Sequence, residues 1–342
     1  MKIGLVGYQG GGKSSVFHWL TGVAPDPGQA FGSQVATCPV IDPRMETMTS
    51  IYQPKKVTHA LLTVVDTPGL NRSHEGSAAR LAVIREAGCL VIVVGAFSGA
   101  QASQDVKSFE EDLLLADWEI VAGRIDKLRE SVKKPKPSRE KELLELEALT
   151  PIAAHLEQGL PLHSMDLSAE QHRVIRSFQL LTQKPRFILV NVSDDETDPQ
   201  RHLIGLPAEV PATAVSVALQ RELANMEVAE RQAFCQEMGV QEFDRDHLVA
   251  ALMSASGQML FFTAGEKEVR SWIIPCGATA DDAAAGIHTD LSRGFVRAEV
   301  MTCEDLFRLG SEREVKARQL MRKEHKDYVI RDGDIVHILA NA

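Results

Sequence analysis

A doubly wound α/β core is the fold class this sequence predicts, and three stretches of the chain predict it. Ile3-Gly4-Leu5-Val6 reads as a buried strand and runs straight into Gly7-Tyr8-Gln9-Gly10-Gly11-Gly12-Lys13-Ser14, a G-x-x-x-x-G-K-S phosphate-binding pattern. Residues 61–65 form a β-branched apolar strand that ends in Asp66-Thr67-Pro68-Gly69, a D-x-x-G. Residues 89–94 and 187–190 are continuous apolar runs, as parallel strands covered on both faces should be.

The first motif carries the most chemistry. Four glycines in six positions let the backbone curl with its N–H groups inward, a nest for phosphate oxygens that several Cβ atoms would obstruct. The following residues, 14–20, read as the first turns of a helix whose positive end faces the same phosphates. Gly10, Gly11, Gly12, Lys13, Ser14 and Ser15 are therefore the expected phosphate contacts. Lys13 brings a mobile charge for the β and γ phosphates, and the Ser14 hydroxyl is a ligand for Mg²⁺.

The D-x-x-G lies where a second phosphate-sensing loop of such a sheet belongs. Asp66 is expected to hold the Mg²⁺ shell through water and the Gly69 N–H to meet the γ-phosphate, so Lys13 and Gly69 are the expected catalytic pair. The strand at 187–190 ends in Asn191-Val192-Ser193-Asp194, of which Asn191, Val192 and Asp194 are expected nucleotide contacts. A carboxylate there can accept from both N1–H and the 2-amino group of guanine, whereas adenine offers an acceptor at N1. A further strand, 213–215, leads to Ser216-Val217-Ala218, expected to cap the base through backbone N–H groups. The expected nucleotide is thus a purine nucleoside triphosphate, GTP or ATP.

Between these motifs, residues 105–132 carry apolar positions at helical spacing, among them Val106, Phe109, Leu113, Ile125 and Leu128. After the breaker Lys133-Lys134-Pro135-Lys136-Pro137-Ser138 a second helical run starts at Arg139, which predicts an antiparallel helical hairpin. Residues 258–340 alternate short strand and helix patterns, consistent with a compact α+β unit.

A chain of 342 residues has room for two domains, or three if one is small. With 44% hydrophobic and 25% charged residues it is an ordinary globular composition, which excludes collagen-like and disordered classes. The net charge of −10 excludes a basic coat for nucleic acid. Locally the balance reverses: residues 123–141, around the hairpin tip, hold eight Lys/Arg against three Asp/Glu, and residues 308–326 hold seven against three. These two segments are candidate contacts for RNA phosphates. Five scattered cysteines without a C-x-x-C pair give no support to a disulfide framework or zinc knuckle. The longest apolar run, 89–97, is far short of the ~20 residues that span a bilayer. No membrane partner, a cytoplasmic location and a monomeric state are the expectations.

The order of these motifs resembles the translation-factor class of P-loop GTPases, and the flanking segments sharpen the resemblance to the Obg-like ATPase, or YchF, family. The segments are Ile41-Asp42-Pro43-Arg44, Gln53-Pro54-Lys55-Lys56, Ile84-Arg85-Glu86-Ala87 and Leu113-Leu114-Leu115-Ala116-Asp117. Residues 261–270 carry it too; residues 287–290 with 294–300 and residues 326–334 look almost unaltered from family members, and the match covers roughly 1–130 and 184–340. The resemblance implies a GTPase-like domain at 1–104 and 184–257, a helical coiled-coil insert at 105–183 and a β-grasp TGS domain at 258–342. It also implies binding and slow hydrolysis of ATP or GTP, association with ribosomes, and Thr37 as the second protein ligand of Mg²⁺.

Several residues depart from the family pattern. Gln9 and Gly10 stand where members carry Pro and Asn, which puts potassium activation in doubt. Leu70 follows the D-x-x-G where a water-orienting glutamine would stand in other GTPases, a feature the family shares. The histidine that relatives place after the third strand is missing from residues 95–101, leaving His74 as the nearest substitute by sequence. Turnover is then expected at unstimulated switch rates, about 10⁻⁴ to 10⁻² s⁻¹, or, as the alternative, the chain is a nucleotide-binding regulatory module with little hydrolysis. Asp194 replaces the family's Glu and Val192 the usual Lys, from which GTP is expected to bind at least as well as ATP.

Overall fold

The computed structural model describes residues 1–26, 28, 32–73, 77–97 and 101–341. In chain order it begins with β1 (Lys2–Val6), α1 (Lys13–Thr21), β2 (Gln34–Pro39), α2 (Pro43–Tyr52), β3 (Val57–Thr58), β4 (Leu61–Asp66), α3 (Ser77–Arg85) and β5 (Cys89–Gly95). The long helices α4 (Ala102–Ser131) and α5 (Arg139–Glu157) follow, then α6 (Ala169–Ile175), β6 (Arg186–Asn191), β7 (Ala212–Val215), α7 (Val217–Ala224), α8 (Val228–Met238) and α9 (Arg245–Ala255). The C-terminal part holds β8 (Gln258–Ala264), β9 (Val269–Pro275), α10 (Ala280–Ile287), α11 (Thr289–Arg293) and β10 (Phe295–Thr302). It ends with α12 (Cys303–Leu309), α13 (Glu312–Ala317), β11 (Arg322–Glu324) and β12 (Asp334–Ala340).

The strands form two six-stranded sheets, ordered β2-β4-β1-β5-β6-β7 and β11-β10-β12-β8-β9-β3. The chain divides into two compact units, Met1–Ala36 with Val64–Phe243 and Thr37–Thr63 with Asp244–Ala342. This differs from the expected partition, which placed residues 37–63 and 244–257 with the nucleotide domain. For residues 55–58 backbone pairing is the reason. Val57 and Thr58 pair in parallel with Val269 and Arg270 of β9, and the Lys55 N–H donates to the Glu266 carbonyl at 3.1 Å.

In the first unit β1 pairs with β5, β5 with β6 and β6 with β7, all in parallel. Every residue of β6 is buried, as the continuous apolar run predicted. Ile92, Ile188 and Val190 pack with Phe109 and Leu113 of α4 in one core. The predicted hairpin is present, with Arg139 opening its second helix and the Pro-rich segment in its turn. At 1.5 Å per residue the 30-residue α4 is about 45 Å long. Its distal half has a separate core in which Val121, Ile125 and Leu128 meet Leu149, Ile152 and Leu156. Arg124 clamps the pair from outside, placing its fork on both Glu145 oxygens at 2.6 and 2.7 Å.

The second unit is a β-grasp. β8 and β9 form an antiparallel hairpin, α10 crosses one face, and β12 returns between β8 and β10, parallel to β8 through Ile335 and Phe262. Three alanines of α10, at 280, 283 and 284, are fully buried against Phe261, Val300 and Val336, and their small side chains let the helix lie close to the sheet. All five cysteines are free. Among the described residues no helix is long and apolar enough to cross a membrane.

Candidate nucleotide-binding site

The strand-loop-helix read from the first motif is formed as expected. Gly12 caps α1 with φ 94°, a left-handed conformation that a side chain rarely adopts, and any Cβ there would run into the Asn191 amide. A Cβ on Gly11 would lie 2.9 Å from the Val93 carbonyl, so the loop can hug β5 only as glycine. Lys13 starts the helix and is 6% exposed, with Nζ donating to the Tyr8 carbonyl at 2.7 Å. Burial pulls its pKa down to about 8, with Asp66 opposing the shift and Arg80 adding to it. Ser14 and Gly10 are exposed and Ser15 half-buried, at the open side of the loop.

A short backbone zipper joins the second motif to the first. The Gln9 N–H donates to the Leu70 carbonyl at 3.0 Å and the Leu70 N–H to the Gly7 carbonyl at 3.1 Å. The zipper draws Gly69 so close that a Cβ on it would sit 2.6 Å from Lys13 Nζ. Asp66, at the end of β4, lies near Ser14, while its buried Oδ1 has no partner. Burial raises the Asp66 pKa against the pull of Ser14 and Lys13. Gln9, Gly10, Lys13, Ser14, Asp66 and Gly69 thus line one cavity of about 210 Å³. The site combines a buried cation, a hydroxyl and an unsatisfied carboxylate oxygen, which suits a phosphate chain with a hard divalent ion.

The third motif divides its labour differently from the sequence expectation. Asn191, 7% exposed, is a latch: Nδ2 reaches the Gly11 carbonyl at 3.5 Å and Oδ1 accepts from the Val217 N–H at 3.1 Å. The Val217 N–H is therefore taken, which corrects its assignment as a donor to the base. Val192 is corrected as well: at 3% exposed its side chain belongs to the core, because the alternation after β6 turns it inward. Ser216 caps α7 through Leu219 N–H and also donates to the Asp194 carboxylate. Asp194 and Ala218 remain exposed and can face a ligand.

Two family models match the chain. The one described as a 50S ribosome-binding GTPase covers residues 2–122, and the YchF-GTPase C-terminal model, described as a protein of unknown function (DUF933), covers residues 259–341. The ribosome-binding ATPase YchF of Bacillus subtilis (strain 168) is 32% identical over 368 residues, spanning 100% of this chain and 99% of the relative. The Obg-like ATPase 1 of Oryza sativa subsp. japonica is 34% identical over 370 residues, 100% of this chain and 92% of the relative. The chain belongs to the YchF, or Obg-like ATPase, family. The solved structure of the Schizosaccharomyces pombe YchF GTPase superposes with a TM-score of 0.83 at 27% identity, covering 99% of this chain and 97% of that one.

Against this YchF-family background, the residues that sequence reasoning missed surround the loop. The Tyr8 hydroxyl donates to Asp112 at 2.8 Å, its ring meets Phe109 edge-on, and the Arg72 guanidinium lies 4.4 Å from its centroid. Arg80 of α3 donates to the Gly69 carbonyl at 3.1 Å. Nothing in a lone tyrosine or arginine distinguishes such residues before the fold places them. Leu70 is 2% exposed and packs in the core, so no polar side chain follows the D-x-x-G. Thr37 lies in β2 with its side chain exposed, in the segment that belongs to the second unit. His74 and residues 98–100 lie outside the described residues.

Proposed function

We propose that this chain binds a purine nucleoside triphosphate at Gly10, Gly11, Gly12, Lys13, Ser14 and Ser15 and cleaves its terminal phosphoanhydride slowly, as a ribosome-associated switch. It is a P-loop NTPase by family. The relatives are named ATPases and a GTPase, which favours hydrolysis over a binding-only module. The single observation that carries the site assignment is the cluster of Lys13, Ser14, Gly69 and the unsatisfied Asp66 Oδ1 around one cavity.

Lys13 neutralises the phosphate chain from its buried position, and the loop amides hold the oxygens at fixed places. Ser14 and Asp66 would hold Mg²⁺, and the ion would offset the charge of the β and γ phosphates. Hydrolysis forms a bond between the water oxygen and the γ phosphorus and breaks the bond to the β–γ bridging oxygen. A nucleoside diphosphate leaves, and inorganic phosphate carries off the water's oxygen. Gly69 offers its N–H to the γ-phosphate as it gains charge. Since Leu70 leaves the attacking water without a side chain to orient it, turnover is slow, on the order of 10⁻⁴ to 10⁻² s⁻¹.

Asp194 and Ala218 address the base, and the Asp194 carboxylate suits the paired donors of guanine, so GTP competes at least equally with ATP. Ribosome association is supported by the relatives' names, with the hairpin tip and the β-grasp unit as the contact points. Nucleotide-dependent thermal stabilisation tests the site: it should be present in the wild type and absent in Lys13→Ala. Its persistence in that variant refutes the assignment. Ribosome co-sedimentation with GTP, ATP and non-hydrolysable analogues tests the partner.

A further inference from the structure

We propose that Arg80 supplies a second cation to the γ-phosphate in cis, in place of the polar residue that Leu70 withholds, an inference that rests on the nucleotide-site reading above. Arg80 is half-buried on α3, and its guanidinium is held against two residues that line the phosphate cavity, Gly69 and Gln9. Nη1 donates to the Gly69 carbonyl at 3.1 Å. With the Gln9 amide oriented so that its oxygen faces the guanidinium, the two terminal nitrogens lie 3.2 and 3.3 Å from it. Gln9 and Gly69 both line the cavity, and Gly69 also abuts Lys13 Nζ, so ammonium and guanidinium flank a single glycine.

The kind of partner matters as much as the distance. Arg80 is held by a carbonyl and an amide, and among the described residues no carboxylate forms an ion pair with it. Neutral acceptors fix the fork in place and leave its charge available to an anion. A guanidinium has five N–H donors, so these contacts leave others free for phosphate oxygens. Its charge already reaches the site, since it helps to lower the Lys13 pKa. An arginine beside the transferring phosphoryl group stabilises the charge that develops there, a contribution of about 10³ to 10⁵ in rate where it is fully engaged.

This cation discriminates triphosphate from diphosphate, because only the γ group reaches it. The test compares wild type, Arg80→Gln and Arg80→Lys by calorimetric titration with GDP and with a β,γ-imido GTP analogue in Mg²⁺, and by single-turnover phosphate release from GTP. Glutamine can still donate to the Gly69 carbonyl but carries no charge. Arg80→Gln should leave GDP affinity within threefold, weaken the analogue tenfold or more and slow phosphate release at least 100-fold. Arg80→Lys should recover analogue affinity and little of the rate, a point charge replacing a fork. An equal loss for both nucleotides would make Arg80 only a prop for Gly69 and overturn the proposal, as would wild-type behaviour of Arg80→Gln. Failure of the wild type to bind either nucleotide would instead overturn the site reading itself and this inference with it.

Discussion

Arg85 places Nη1 2.7 Å from Asp117 Oδ1, and that carboxylate is fully buried. Asp117 also accepts from the backbone N–H groups of Leu181 and Thr182 at 3.0 and 2.7 Å and from the Thr182 hydroxyl at 2.9 Å. One side chain on α4 therefore ties together α3 and the segment that re-enters the sheet before β6. Removing it leaves the two buried amides without an acceptor and takes the counter-charge from a half-buried guanidinium that keeps only the Ala116 and Gln179 carbonyls. Asp117→Ala should lose about 3–5 kcal/mol of stability, read as a lower urea midpoint at unchanged slope.

Lys13 makes nucleotide binding pH-dependent. Its pKa of about 8 in the free protein means that it has largely lost its proton by pH 9, just where a phosphate chain needs the charge. Nucleotide affinity should fall between pH 7 and 9, and binding at pH 8.5 should take up a proton, visible as a heat that varies with buffer ionisation enthalpy. The free protein behaves oppositely. Between pH 8 and the ordinary lysine value near 10.5 the unfolded chain holds more protons, so folding stability rises with pH in that window. Lys13→Met should flatten both profiles.

Asn191 and Asp194 should separate cleanly. Asn191→Ala unlatches Gly11 from α7 and leaves a buried N–H unsatisfied, a cost of about 1–3 kcal/mol, and it should weaken GTP and ATP alike. Asp194→Ala should weaken GTP and spare ATP, because adenine presents no paired donors to a carboxylate. Competition of both nucleotides against a fluorescent analogue reads the two variants side by side. Selectivity unchanged in Asp194→Ala would remove that residue from the base site.

The basic hairpin tip is less charged than its composition suggests. Lys133 pairs with Glu130 at 2.6 Å and Lys136 with Glu142 at 2.8 Å. The exposed Lys133–Glu130 pair is worth little and can exchange for phosphate, while the Lys136–Glu142 pair is half-buried. A triple variant, Lys133→Ser with Lys134→Ser and Lys136→Ser, should weaken ribosome co-sedimentation and make it less sensitive to salt. Nucleotide binding should be unaffected.

The phosphate loop, the D-x-x-G and the parallel strands were legible because each rests on a local rule: glycines where the backbone turns left-handed, apolar runs where both faces are covered. The helical hairpin was legible for the same reason, down to Arg139 at the start of its second helix. The base end was read only in part. Asn191 and Asp194 belong to one tetrapeptide, yet one is buried as a latch and the other exposed toward a ligand. A tetrapeptide carries no record of which way each side chain turns.

The sequence by itself determined the chemistry on offer: a lysine, a serine hydroxyl, a strand-end aspartate and a loop rich in glycine, with Leu70 in place of a water-orienting side chain. Tertiary structure alone decided three things. It zipped residues 66–70 to the loop, so that Gly69 stands against Lys13. It brought Arg80 from the next helix onto the Gly69 carbonyl. It took residues 55–58 into the C-terminal sheet through pairing with β9. Each is a long-range contact between backbone groups or a side chain and a backbone, and backbone groups are alike in every residue. Only the packed fold selects which of them meet.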